Sequence, residues 1–298
     1  MREATKGIIA LVVTCTIWGV ASIYYKQLSH IPPIEILAHR TLWSLIFFAG
    51  VLAVQGRLSS LADAIGTRRA LLMTVVAAVL ISANWFGFIH AIQAERAMEA
   101  SLGYYIFPLV AVVLGAVVLK ERLGPAQCVA VGLAALAVVT LTLGLGVPPW
   151  IALFLAVSFG LYGLVKKGIS VGPVASVTAE VLLLAPIALV VLWGAHAGGG
   201  GAFGTSWQDS AMLMFSGPLT GTPLILFSYA TRRITLATVG LVQYLNPTLQ
   251  FMVATLWFLE PFSTWHAVAF GMIWAALAIY TLASWRQDRA ARRAILKS

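Results

Sequence analysis

Apolar runs of about twenty residues recur along this chain, each closed by a short polar or glycine- and proline-rich stretch. The first five lie at about 7–26, 35–54, 70–90, 98–119 and 126–145. The second five lie at about 150–165, 173–193, 211–230, 236–258 and 265–285. Among the breaks are Gln55-Gly56-Arg57, Lys120 to Pro125, Val147-Pro148-Pro149, and the run Gly198–Gly201, which reads as a flexible tether. Periodicity does not separate helix from strand inside an all-apolar run, but length does. A crossing helix needs roughly 20 apolar residues, whereas a crossing strand is about 9–11 residues long and alternates in polarity. The pattern predicts an all-α integral membrane protein with ten transmembrane helices.

Composition agrees. The chain is 60% hydrophobic and 10% charged, with mean hydropathy +0.93, against about 25% charged in soluble proteins. Ten spans consume most of the 298 residues, leaving short connections and no room for a folded extramembrane domain. Arg2 and Lys6 ahead of an apolar run give Met1–Ser22 the look of a signal peptide, but it reads as a retained first span. Cys15 and Cys128 lie in apolar stretches, make no disulfide or metal framework, and read as inert packing residues.

Charge supplies an orientation. With the N-terminus inside, all but three of the nineteen Lys and Arg fall in cytoplasmic connections, the exceptions being Lys26, Arg40 and Arg96. Basic loops stay on the cytoplasmic side, so both termini are expected there. The same bias accounts for the net charge of +9 without a nucleic-acid partner. The tail Arg286–Lys297 reads as a topology anchor, or as a short interfacial helix on anionic lipid.

Laying residues 97–142 over 236–281 without a gap gives nine identities. Tyr105, Pro108, Glu121 and Gly132 match Tyr244, Pro247, Glu260 and Gly271 at a constant offset of 139. Trp18-Gly19 aligns with Phe159-Gly160, and Lys26 with Lys167. The chain thus divides into halves 1–146 (spans one to five) and 147–298 (spans six to ten with the basic tail). A five-span unit crosses the membrane an odd number of times, so its second copy must be inverted. Inverted halves suit a site that faces either side by rocking.

The matched prolines lie near the middle of spans four and nine. Each removes a backbone donor, freeing the Tyr104 and Gln243 carbonyls, and such groups must face protein or water. Tyr104, Tyr105, Pro108, Gln243, Tyr244, Asn246 and Pro247 are therefore candidates for a weakly polar, aromatic solute cavity. Trp18, Asn84, Trp85, Tyr162 and Tyr229 are expected to complete it. The alternative is that mid-span Pro and Tyr only kink and pack helices. Ionisable residues in spans cost about 2.5–3.5 kcal/mol each and need a reason. Glu35, His39 and Arg40 cluster at the outer end of span two, where they either relay protons, pair internally or snorkel to the interface, the last being the default. Glu180 stands at an offset of 140 from Arg40 and is a possible partner for it. His90, Glu99, Glu121 and Glu260 read as structural groups at span ends. No catalytic triad, metal spacing or phosphate loop appears, so no metal, cofactor or ATPase activity is expected. Any energy coupling would come from protons, a counter-substrate or the solute's own gradient.

Several stretches resemble the drug/metabolite transporter superfamily, and within it the RarD-like branch of the EamA family. They are Pro33 to Arg40 with Trp43-Ser44, Asn84-Trp85, Glu99 to Tyr105 through Pro108-Leu109, Lys120 to Leu123, Thr178-Ala179-Glu180, and Gly240 to Phe251. The resemblance implies two inverted EamA repeats in a bacterial inner membrane, with a cavity between spans one, three, four, six, eight and nine. It also implies a secondary transporter for a metabolite, amino acid or drug-like solute, and RarD-like proteins take their name from a link to chloramphenicol sensitivity. Phe107 stands where an Asn is expected, so the first half lacks the polar group that Asn246 supplies in the second. A passive channel and an intramembrane enzyme are the rival readings; a monomer is compatible with the sequence.

Overall fold

The computed structural model is helical throughout and describes residues 3–118, 120 and 123–295. Each of the ten apolar runs is found as a helical segment. They begin with α1 (Glu3–Gln27) and α2 (Pro33–Val54). A six-residue helix that the apolar pattern does not predict, α3 (Ser60–Ile65), precedes α4 (Arg68–Gln93). Then come α5 (Ala97–Val118), α6 (Pro125–Leu145), α7 (Trp150–Lys166), α8 (Pro173–Ala197) and α9 (Trp207–Thr231). Span nine is broken into α10 (Leu236–Gln243) and α11 (Leu245–Met252), the latter running into a π-helical turn, Val253–Trp257. The last helix is α12 (Thr264–Ile295). Among the described residues eight helices are long and apolar enough to cross a membrane by length and composition, and α7 is a shorter apolar helix of 17 residues.

Local chemistry sets the boundaries. Proline opens α2, α6 and α8, where its missing N–H costs nothing. Thr67, Ser206 and Thr235 cap α4, α9 and α10 through their side chains. At the start of α5 the cap comes from far along the chain: the Glu260 carboxylate accepts the Ala97 and Met98 N–H groups at 2.6 and 2.7 Å. Burial raises the Glu260 carboxyl above its ordinary range, and the two amide donors pull it part of the way back. Glu260 thus braces a helix end as its position suggests; Glu121, its counterpart, and Arg2, Arg122 and Lys297 lie outside the described residues.

The two prolines meet different fates. The helix breaks at Tyr244, so Pro247 falls in the first turn of α11 rather than blocking the Gln243 carbonyl mid-helix. Pro108 stays inside a continuous α5, leaving the Tyr104 carbonyl without its usual donor. The two helices touch: Ser101 Oγ donates to the Pro247 carbonyl at 2.8 Å, and the Tyr105 and Thr248 hydroxyls share a hydrogen bond of 2.7 Å. Pro186, Pro218 and Pro223 also lie within helices.

Lipid tails are as apolar as leucine, so close backbone approach at small residues must hold helices together. A Cβ on Gly103 would sit 2.8 Å from the Ala152 carbonyl of α7, and one on Gly19 only 2.6 Å from Leu249 Cβ of α11. Gly160 makes a similar approach to Leu114 of α5, at 2.9 Å, and Gly217 abuts the Trp43 carbonyl of α2. The packing is paired between the halves. The α5–α7 contact answers α1–α11, α4–α7 answers α1–α9, and α2–α9 answers α4–α8, while α2–α8, α6–α12 and α5–α11 pair across the centre.

Gly217→Val should force α2 and α9 apart, at a cost of about 1–3 kcal/mol, and shift the thermal midpoint in detergent down by several degrees. Gly132 and Gly271 have nothing within 4 Å of an added Cβ. Alanine at either should leave the midpoint unchanged or raise it slightly, through a helix-propensity gain of up to about 1 kcal/mol. Size-exclusion chromatography after graded heating reads all three.

Candidate functional site

The helices enclose a cavity of about 810 Å³, within the range of about 300–1,000 Å³ typical of small-molecule sites. One end is buried. Tyr25, Arg40, Trp85 and Phe88 line it there, and the neighbouring loops are tied down beyond them. Glu35 accepts the Ala202 N–H at 2.7 Å, Gln93 donates to the Leu28 and Ile31 carbonyls, and Tyr24 donates to the Met212 carbonyl at 2.6 Å. The other end reaches Lys166, Pro173, Thr231 and Thr281. Lys166 and Thr231 close α7 and α9 and Pro173 opens α8, so this end lies at the face that carries the basic connections.

All but two of the twelve cavity candidates line this space. Trp18 and Trp85 contribute indoles, Tyr104 and Pro108 come from α5, and Tyr162 comes from α7. Gln243, Tyr244, Asn246 and Pro247 flank the break in span nine. Asn84 is a tie as well as a wall: its amide donates to the Leu155 carbonyl and Ser158 Oγ, both at 3.0 Å, while its oxygen accepts the Tyr104 hydroxyl at 3.1 Å. Asn246 accepts from Gln250 Nε2 at 2.9 Å. Tyr105 and Tyr229 are the corrections. Tyr105 turns from the cavity into an aromatic cluster with Phe270 and Trp274. Tyr229 lies under the Arg233 guanidinium, 3.5 Å from its ring centroid, and Arg233 in turn bonds Glu3 at 3.0 Å. Sequence reading missed Tyr25, Thr220 and Gln250. Only Gln250 left a signal, one turn beyond Asn246 in the same motif.

The ionisable cluster on α2 does not snorkel. Glu35, His39 and Arg40 are 2%, 4% and 8% exposed. Glu35 and His39 hold the α8–α9 loop, the first through the Ala202 amide, the second by stacking on Phe203 at 5.1 Å. The glycine run in that loop is a built turn rather than a loose tether. Gly199 and Gly204 have positive φ (75° and 89°), and a Cβ on Gly201 would strike the His196 ring at 2.5 Å. Arg40 points instead into the cavity. Its Nε donates to Thr220 Oγ1 at 2.9 Å, and its guanidinium lies 4.0 Å from the Trp85 ring centroid and 5.7 Å from that of Tyr25.

Glu180 does not pair with Arg40. It is fully buried and pairs with Lys166 Nζ at 2.6 Å, with support from Ser176 at 3.0 Å and the Tyr162 hydroxyl at 3.1 Å. Lys166 also donates to Ser176. The ammonium is thus drawn back from its connection into the bundle. The groups read as structural behave so: His90 is exposed and stacks on Phe86, and Glu99 pairs with Arg96 at 2.6 Å. Cys15 is buried, whereas Cys128 is exposed on α6.

A cavity bounded by helices of both halves, in a bundle of membrane-crossing helices, is a geometry that suits a membrane transporter. Residues 5–143 match the EamA-like transporter family. A relative from Vibrio cholerae described as an uncharacterized transporter is 38% identical over 294 residues, covering 98% of this chain and 97% of its own. Protein RarD of Streptomyces exfoliatus is 40% identical over 278 residues, covering 93% and 87%. A solved crystal structure shares the fold with a TM-score of 0.62 over 93% of this chain and 98% of its own, at 17% identity. The chain belongs to the EamA family of the drug/metabolite transporter superfamily, in its RarD-like branch, a family of transporters rather than enzymes.

Removing one member of a buried ion pair costs about 3–5 kcal/mol, but the two members here are not equally trapped. Lys166 is 21% exposed and can turn to cavity water, whereas Glu180 has no exposure. Lys166→Met should therefore lower the thermal midpoint more than Glu180→Gln, and the double variant should recover most of the loss. A double-mutant cycle in detergent measures the coupling.

Proposed function

We propose that this chain is a secondary transporter of a bacterial inner membrane that moves a small, partly apolar solute by alternating access. Its halves, 1–146 and 147–298, are inverted repeats, and both termini are cytoplasmic. The observation that carries the reading is a solute-sized cavity lined by both halves, buried at its Arg40 end and running to the helix ends that carry the basic connections. Beyond the Arg40 end, Glu35 and Gln93 hold the neighbouring loops by hydrogen bonds. The paired packing of the halves supports it: exchanging the first five spans with the second maps each major helix contact onto another or onto itself, as rocking about one axis requires. On the basic-loop criterion the face with the basic connections is cytoplasmic. The aromatic walls suit an amphipathic solute, with Gln243 and Asn246 as its polar contacts. Among the coupling candidates, Glu35 and His39 belong to the closed loops, while Glu180 touches the cavity through Lys166, so proton coupling is to be sought at that pair.

Counterflow in proteoliposomes, with and without a pH gradient, tests the reading. The panel comprises aromatic and aliphatic amino acids, aromatic acids and chloramphenicol. At least one solute should show saturable uptake stimulated by unlabelled solute inside. Gln243→Ala should raise its KM about tenfold or more, the worth of one hydrogen bond to a charged group. Tyr229→Phe, outside the cavity, should leave it unchanged. Flux that never saturates, or an unaffected Gln243→Ala, rejects the assignment.

A further inference from the structure

The walls of the cavity hold two cations and, among the described residues, no carboxylate. The two cations are in different states. Lys166 is neutralised by Glu180 behind it. Arg40 has no carboxylate within ion-pair distance among the described residues. Its partners are a neutral hydroxyl on Thr220 and the faces of Trp85 and Tyr25. A charge 8% exposed has given up most of its hydration, and one neutral hydrogen bond with two ring faces returns only part of that loss. An anion beside it would return the rest.

The geometry restricts which anion. Trp85 covers one face of the guanidinium and Thr220 fixes its Nε, so a ligand must approach the remaining N–H edge in the guanidinium plane. That edge presents parallel donors, the arrangement a planar carboxylate accepts bidentately. Trp18 and Tyr104 stand further along the cavity wall, available to an aromatic or apolar body attached to that carboxylate. We propose that Arg40 is the anchor for the carboxylate of an aromatic or amphipathic organic acid, bound at the buried end of the cavity. The proposal deepens the transport reading above and rests on it for its physiological sense, but it can be tested by binding alone.

The test is calorimetric titration of the purified full chain in detergent with phenylacetate, phenylacetamide and phenethylamine, three probes of similar shape and different charge. Phenylacetate should bind at least about tenfold tighter than the amide, the worth of a charge-assisted hydrogen bond, and phenethylamine weakest of all. Arg40→Gln should abolish the difference between acid and amide. Arg40→Lys keeps the charge without the fork and should retain a reduced preference. Thr220→Val leaves Arg40 in place and should weaken phenylacetate a few-fold, so the proposal stays testable if Arg40→Gln does not fold. Acid and amide binding equally, including no heat from either, overturns the proposal, as does a preference that survives Arg40→Gln in folded protein. Saturable counterflow of an organic acid, equal in wild type and Arg40→Gln, removes the anchor and leaves transport standing. An Arg40-dependent acid preference in a protein that shows no counterflow does the reverse.

Discussion

Inside a bilayer no water takes up a polar group that the protein leaves unpaired, and each such group costs several kcal/mol. Most of the distinctive features of this chain are answers to that constraint. Glu260 reaches across from the connection before α12 to satisfy the first amides of α5. Asn84 spends both ends of its amide on α5 and α7. Span nine gives up continuity at Tyr244, so that Pro247 sits where a helix needs no donor. Where the constraint is left unmet, at the Tyr104 carbonyl and around Arg40, the residues line the cavity.

The paired packing of the two halves and the unequal chemistry of their matched residues belong together. Gly19 and Gly160 occupy corresponding places and do the same work, admitting α11 and α5 respectively to close contact. The prolines also correspond, yet one helix is broken and the other is not. Phe107 and Asn246 correspond too, so one wall is aromatic where the other is polar. Glycine positions govern how helices approach, which a symmetric scaffold must repeat. Cavity residues meet a solute, which has no such symmetry, and they are the ones that have diverged.

The spans were legible in the sequence because hydrocarbon imposes length and composition on every crossing element, and this chain has little else. The positions of the cavity prolines and of Asn246 were legible for a related reason: a backbone defect in a span is tolerated only against protein or water. Side-chain direction was not. Tyr105 and Tyr104 are adjacent, and a 100° step on the helix sends one into the Phe270 cluster and the other into the cavity. The α2 cluster was misplaced because distance from a helix end does not reveal what covers it. The α8–α9 loop, which reads as a loose glycine tether, is folded over Glu35 and His39 by glycines whose backbone angles only the structure reveals.

Arg40 and Glu180 stand in corresponding spans, so the two ends of the cavity would carry opposite charges if each were alone. Lys166 changes this by neutralising Glu180, and among the described residues no carboxylate does the same for Arg40. The result is a cavity with a net positive, buried end at Arg40 and a neutral end at the Lys166–Glu180 pair. On the proposed reading, an organic anion entering past the neutral pair would be drawn to the buried end. There its carboxylate would meet the helix whose neighbouring residues, Glu35 and His39, hold the α8–α9 loop. A solute seated at Arg40 would thus load the same helix that holds that loop. The proposed alternating access needs such a link between occupancy and the gate.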